Sequence, residues 1–271
     1  MVIYSHSRLS SFEQCRLKFK YRYIDQIITI EKSIEAFLGK IVHNTLEWLY
    51  RQVKENKIPT IDEIITYYSN NWEENYKPTI KIVKQEFTTK DYFNKGVQFL
   101  LSYYMQHKPF NDNTLEIEKR IVFNLDEKGE YKIQGFIDRL VHNLEKDEFE
   151  IHDYKTGNSL PTQQKIENDR QLALYSIGIK ELHGKDKEVL LIWHYLAHNQ
   201  KITSRRTNEQ LQKLKEEIIE LIKEIELTTE FPPEKSVLCN WCEYKSMCSK
   251  FNKDKKLDNY IKEEKELDIW G

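Results

Sequence analysis

The chain has 271 residues, with 42 Lys and Arg against 44 Asp and Glu, a formal net charge of −2, and 39% hydrophobic and 32% charged residues. This balance suits a soluble globular protein; it excludes a disordered chain and one coated in basic residues, though a local positive groove is compatible with it. Only 8 Gly and 6 Pro are present, which excludes collagen-like and low-complexity classes, while 12 Phe, 16 Tyr and 5 Trp supply core material. No stretch approaches the roughly 18 to 20 apolar residues of a membrane span. The opening MVIYSHSRLSSFEQC has no apolar signal core. The expected compartment is therefore the reducing cytoplasm, where four cysteines are metal ligands or free thiols rather than disulfides.

Residues 8–24 place Leu9, Phe12, Leu17, Phe19, Tyr23 and Ile24 at close to helical spacing, with Ser5 or Ser7 positioned as a cap. A second helical pattern runs from 34 to about 57, Thr60 can cap a third through 76, and a fourth is expected from about 88 to 106. The pattern then alternates. Residues 115–123 read as a strand, Lys128-Gly129 as a turn, and 131–141 and 149–154 as two further strands. Helical spacing returns over 168–182; 189–196 is an apolar strand with 201–204 as its hairpin partner, and 207–227 is a charged amphipathic helix. Pro232-Pro233 stops that helix, a cysteine-bearing loop follows, and a short charged helix ends the chain. The order predicts one α/β unit over 1–271: a mainly helical part at 1–110, a sheet core at 111–206, and a helix with the cysteine segment at 207–271.

The segment Ile151-His152-Asp153-Tyr154-Lys155-Thr156-Gly157 is the most informative. Side chains two apart in a strand share a face, so Asp153 and Lys155 project together at the end of their strand. An acid beside a lysine can hold a divalent cation, position a water and place positive charge near a phosphate; it can equally be a surface ion pair. Asp138 interrupts the apolar run Gly135-Phe136-Ile137-Asp138-Arg139-Leu140-Val141, and a carboxylate in mid-strand is costly unless paired or metal-bound. The strands 131–141 and 149–154 are expected to be antiparallel neighbours, which would bring Asp138 near Asp153, where a hard cation such as Mg²⁺ relieves the repulsion. His43 lies on the apolar side of its helix in Gly39-Lys40-Ile41-Val42-His43, where a core histidine is the ordinary alternative to a ligand. Gln171 and Tyr175 stand one turn apart on a single helix face.

Cys239-x2-Cys242-x5-Cys248 supplies three thiols in one loop, and Cys15 is the only other cysteine. If the two ends of the chain meet, four thiolates can hold either tetrahedral zinc or an iron–sulfur cluster, and spacing alone does not choose. Arg16, Lys18, Lys20 and Arg22 alternate with Phe19, Tyr21 and Tyr23. The basic groups suit phosphates, and the aromatics suit the core better than base stacking. Arg205-Arg206 is a further candidate contact. No G-x-x-x-x-G-K-[ST] phosphate loop occurs, so an ATP-driven motor would have to sit on another subunit.

Taken in order, Leu9 to Tyr23, the Gly-Lys-x-x-His helix, Gly-Phe-Ile-Asp, Asp-Tyr-Lys-Thr-Gly and Gln-x-x-x-Tyr resemble the PD-(D/E)XK nuclease superfamily. The resemblance is to its RecB-like, AddB-like and CRISPR-associated Cas4-like branch. Ile137 stands where the superfamily's name has Pro, a departure common in this branch. The resemblance implies a restriction-endonuclease-like core, a mixed central sheet flanked by helices. His43, Asp138, Asp153 and the Tyr154 carbonyl would ligate Mg²⁺ or Mn²⁺. Lys155 would orient or activate the attacking water, and Gln171 and Tyr175 would support the site. It also implies a [4Fe–4S] cluster on Cys15, Cys239, Cys242 and Cys248, and cleavage of single-stranded or end-containing DNA in repair, recombination or CRISPR spacer processing. A helicase or a CRISPR integrase subunit would be the partner, with no membrane involved. The alternative is a non-catalytic DNA-binding subunit that keeps the fold.

Overall fold

The computed structural model describes residues 2–29 and 32–252. Strand β1 (Ile3–Ser5) leads into helices α1 (His6–Gln14) and α2 (Arg16–Phe19) and a π-helical turn, Lys20–Ile24. Helices α3 (Ile34–Lys54), α4 (Ile61–Asn75) and α5 (Thr89–His107) follow, then strands β2 (Thr114–Asn124), β3 (Lys132–Asn143) and β4 (Glu148–Lys155). After α6 (Gln163–Glu167) and α7 (Gln171–His183) come the hairpin β5 (Glu188–Tyr195) and β6 (Gln200–Ser204), and α8 (Asn208–Leu227). Local chemistry sets many of the starts. Ser5 caps α1, and Thr60, Thr88 and Thr207 each open a helix with a reciprocal box to Glu63, Asp91 and Gln210.

The expected mixed α/β core, a central sheet flanked by helices, is what folds. The sheet is organised around β3. One edge of β3 carries β2, antiparallel from Asn124↔Lys132 to Thr114↔Val141. Its other edge is shared: β1 runs parallel to its first residues, Ile3↔Lys132 to Ser5↔Gln134, and β4 antiparallel to its last, Arg139↔His152 to Asn143↔Glu148. Residues 135–138 of β3 therefore have no ladder partner on that side. Beyond β4, β5 is parallel (Glu148↔Glu188 to Lys155↔Tyr195) and β6 antiparallel. A parallel β4–β5 pair needs a crossover, which α6 and α7 provide.

Two apolar layers sandwich this sheet. Leu9 and Phe12 of α1, Leu172, Leu174 and Ile179 of α7, and Ile218 and Ile222 of α8 cover one face with Ile121, Phe123, Ile133 and Ile137. Ile41, Leu46, Tyr68 and Tyr103 from α3, α4 and α5 cover the other with Tyr154. The strands change faces midway. Ile121 of β2 packs in the first layer, whereas Ile117, two pleats away, packs in the second. Ile137 of β3 lies in the first layer, whereas the Arg139 side chain lies over the Tyr50 ring on the α3 side. The swap falls at Glu118, which has φ +50°, and at Asp138 opposite it. A positive φ on a non-glycine residue costs on the order of 1–3 kcal/mol and persists only where its surroundings dictate it.

Several expectations need correction. The 8–24 helix is broken, because Cys15 is extended (φ −168°, ψ 113°) between α1 and α2. The helix expected over 168–182 starts at Gln171, after the separate turn α6. β1, only three residues long, carries no readable alternation. The short charged helix expected at the end of the chain falls outside the described residues. Phe19 and Tyr21 are buried, as the core reading of the aromatics expects. Their basic neighbours are paired: Arg16 with Glu224, Lys18 and Arg22 with Glu243, and Lys20 with Asp25. Arg205 pairs with Glu148, and Arg206 donates to the carbonyls of Ile166 and Asp169. These are folding contacts before they are surface for a ligand.

Candidate active site

The candidate residues meet where the β3–β4 ladder ends. The β3–β4 register extends to put Asp138 opposite Asp153, one step past the last ladder pair, Arg139↔His152. In place of a ladder bond, the Tyr154 N–H donates to Asp138 Oδ2 at 2.9 Å. From above, α3 brings His43, with Nε2 2.7 Å from the Tyr154 carbonyl and Nδ1 3.4 Å from Asp138 Oδ2. Gly39 allows this approach: a Cβ there would sit 3.1 Å from Thr156 Oγ1. His43, Glu118 and Asp138 each offer a ligand atom, all within 4.8 Å of one another. Because a carbonyl only accepts, a neutral His43 carries its proton on Nε2, which turns the Nδ1 lone pair towards Asp138. Two carboxylates and an imidazole lone pair aimed together repel one another unless a cation lies among them, so these residues fit a divalent metal.

Asp153 stands outside that group of three, and Lys155 holds its carboxylate. Lys155 Nζ donates to Asp153 Oδ1 at 3.0 Å and to Gln171 Oε1 at 3.0 Å, and lies 2.8 Å from Asp153 Oδ2. That buried Oδ2 accepts no aligned hydrogen bond and meets the ammonium by charge alone. The expectation that Asp153 and Lys155 share a face is met. Tyr175 hydrogen-bonds Gln171, and its ring lies against Gly135, where a Cβ would come within 2.1 Å of a ring carbon. The glycine of Gly-Phe-Ile-Asp is thus the floor on which Tyr175 rests.

Burial and mutual repulsion raise the acids. Glu118 is pushed up to about 7, first by burial and then by Asp138 and Glu47. Burial also raises Asp138, with Asp153 adding to it and His43 opposing. Burial works against the charge on Lys155, but Asp153, by charge and hydrogen bond, outweighs it and raises its pKa. Lys155 is therefore a fixed ammonium at neutral pH, able to stabilise anionic charge rather than to take up a proton. Sequence reasoning missed Glu118, which sits in the ordinary alternation of Leu115-Glu116-Ile117-Glu118-Lys119. Only its backbone conformation and the packing of α3 aim it inward. Two more titratable groups lie nearby: Asp169, raised by burial and facing Lys155, and His6, lowered to about 4 by burial, Arg170 and Lys155.

Residues 3–249 match the family model of the PD-(D/E)XK nuclease superfamily. The chain belongs to that superfamily. Metal-assisted phosphodiester hydrolysis is the coarse activity class that comes with membership. No curated protein sequence matches the chain. Among solved structures, a protein of Eubacterium rectale named as a candidate exonuclease shares the fold at TM-score 0.52 and 12% identity, over 89% of this chain and 87% of that one. The structure named SSO0001, at 16% identity over 88% and 95%, superposes with a TM-score of only 0.39.

The superfamily core is closed off by the cysteine segment. Cys15, Cys239, Cys242 and Cys248 line one cavity with about 520 Å³ of empty space, part of it open to solvent. The Glu234 N–H lies 3.4 Å from Cys15 Sγ, so the segment leading to Cys239 does reach Cys15. Tyr244 donates to the Ile27 carbonyl at 3.0 Å, and Tyr21, Tyr244 and Met247 form a small core beneath the thiols. Burial raises the Cys242 thiol. Among the described residues no three cysteine sulfurs lie within 4.8 Å of one another. No helix among them is long and apolar enough to cross a membrane.

Proposed function

We propose that this chain is a metal-dependent deoxyribonuclease, an exonuclease on single-stranded or end-containing DNA serving repair, recombination or CRISPR adaptation. The observation that carries this reading is the convergence of His43, Glu118 and Asp138 within 4.8 Å, beside the Lys155–Asp153 pair. His43, Glu118, Asp138 and Asp153 would hold Mg²⁺ or Mn²⁺, with the Tyr154 carbonyl as a further oxygen. A bound divalent ion would polarise a phosphate oxygen and lower the pKa of a water. The chain's own groups do the rest. Lys155, kept protonated by Asp153, neutralises charge that builds on the phosphate oxygens. Gln171 holds its ammonium in place from 3.0 Å, and Tyr175 holds Gln171.

For the four cysteines, which line one cavity, we propose a [4Fe–4S] cluster, the cofactor that the resemblance to the RecB-like and Cas4-like branch implies. A cluster joining residue 15 to 239–248 would cross-link a very long loop, and its role would be to brace the fold. The activity is tested with end-labelled single-stranded DNA and Mn²⁺. Wild-type protein is expected to cut it, and Asp153→Ala and Lys155→Ala, purified folded, to lose at least a hundredfold. Native-rate cleavage by either folded variant would overturn the reading.

A further inference from the structure

On the α3 side of β4, next to His43, lies a buried polar network that the proposed chemistry does not use. Arg139, 1% exposed, donates from Nε to the Tyr154 hydroxyl at 3.1 Å and from a terminal nitrogen to His152 Nδ1 at 2.8 Å; its other terminal nitrogen pairs with Asp112. The Tyr103 hydroxyl lies 3.2 Å from that of Tyr154 and 2.7 Å from that of Tyr50. Nδ1 of His152 must accept from Arg139, so His152 carries its proton on Nε2, directed at Glu150 Oε2 at 3.2 Å. His194 Nε2, 2.9 Å from the same Nδ1, must likewise be a donor. Every hydrogen-bond direction around Arg139 is thereby fixed.

Tyr154 connects this network to the site. Its hydroxyl is fastened to Arg139 and Tyr103 within the α3-side layer, while its N–H holds Asp138 and its carbonyl accepts from His43. This happens where the β3–β4 ladder stops, one residue past Arg139↔His152. The β3–β4 ladder itself does not reach Asp138 and Asp153. What links the two strands there is Arg139 of β3 gripping the ring of β4 and Tyr154 of β4 gripping the carboxylate of β3. We propose that the Arg139–Tyr154–Tyr103 network is a positioning device that sets the distance between Asp138 and His43 for metal binding. The proposal rests on the metal-site reading given above. A shift of Tyr154 would carry its N–H and its carbonyl, and so both contacts, with it, and the hydroxyl anchor opposes that shift. Losing such an outer partner typically costs 10–100-fold in metal affinity or activity.

The test compares Tyr154→Phe with Tyr50→Phe in the full chain. The Tyr50 hydroxyl belongs to the same buried network but is bonded to Tyr103 rather than to Tyr154, so its variant reports the general cost of losing a buried hydroxyl. Mn²⁺ affinity is read by electron paramagnetic resonance, and cleavage of labelled single-stranded DNA gives kcat and KM. Tyr154→Phe is expected to weaken Mn²⁺ binding at least fivefold and lower kcat with KM nearly unchanged, while Tyr50→Phe lowers the Tm and leaves Mn²⁺ affinity within twofold. Equal Mn²⁺ affinity in Tyr154→Phe and wild type would overturn the proposal. If Tyr154→Phe does not fold, Tyr103→Phe removes the anchor's second partner, and wild-type Mn²⁺ affinity in that variant overturns it. The Mn²⁺ readout needs no cleavage, so a wild type that binds Mn²⁺ but cuts no DNA would sink the nuclease reading and leave this one standing.

Discussion

Gly135→Ala offers a sharp test of how the site is supported. A Cβ at this position would lie 2.1 Å from one Tyr175 ring carbon and 2.6 Å from another, well inside van der Waals contact. Tyr175 is buried within the first apolar layer, so its ring cannot swing out to solvent freely. Relief needs a movement of more than 1 Å by the ring or by β3. Overpacking of this kind costs about 1–3 kcal/mol, which for a chain of this size lowers Tm by about 2–12 °C. A moved Tyr175 also loosens Gln171 and, through it, Lys155, so DNA cleavage should fall about tenfold beyond any effect of unfolding. Differential scanning calorimetry and single-turnover cleavage measure the two effects. Combining Gly135→Ala with Tyr175→Val should recover at least half of the lost stability, because contacting residues couple. A Gly135→Ala protein within 0.5 kcal/mol of wild type, with no coupling in the double variant, would refute the packing argument.

Glu118→Gln should change how metal-free stability depends on pH. The folded carboxyl is raised from 4.5 to about 7, so the unfolded chain ionises first and stability falls as pH rises through that window. The full shift corresponds to about 3.4 kcal/mol, which partial exposure reduces to about 1–2 kcal/mol; urea unfolding in chelator at pH 5 and pH 8 should show that loss in wild type and not in the variant. Gln171→Ala removes an acceptor of a charged hydrogen bond from Lys155 Nζ and should lower kcat about tenfold, in keeping with about 1.5–3 kcal/mol for such a bond, while KM for the oligonucleotide stays within twofold. Cys15→Ser, prepared anaerobically, should lose the brown colour and visible absorbance expected of the wild type, and its Tm should drop by several degrees. A colourless wild type with one zinc per chain would contradict the cluster.

Much of this was legible because it is local. Thr60, Thr88 and Thr207 announce helix starts, and the alternation of 115–123 and 131–141 announces strands that do pair. Asp153-Tyr154-Lys155 put an acid and a lysine on one face by pleat geometry alone, and the structure keeps them bonded. Glu118 was not legible because nothing in its neighbours marks it; its inward aim depends on a positive φ and on α3 docking against β2 and β3. The break at Cys15 was hidden for a similar reason, since Leu9, Phe12, Leu17 and Phe19 keep helical spacing across it. The basic residues at 16–22 suggested a phosphate surface; Lys20 pairs with nearby Asp25, but the partners of Arg16, Lys18 and Arg22, Glu224 and Glu243, lie about two hundred residues away in sequence. Ion pairs that distant carry no sequence signal. The network around the Tyr154 hydroxyl is likewise assembled from Tyr50, Tyr103, Arg139 and His194, residues of four separate elements.

The decisive measurement is a Mn²⁺ titration of the chelator-stripped protein, with wild type set beside folded Asp138→Asn and His43→Ala. Saturable binding in the wild type, weakened at least tenfold in each variant, is the predicted result. Unchanged affinity in both would mean that imidazole and carboxylate from α3 and β3 grip no common ion, and the account would be wrong.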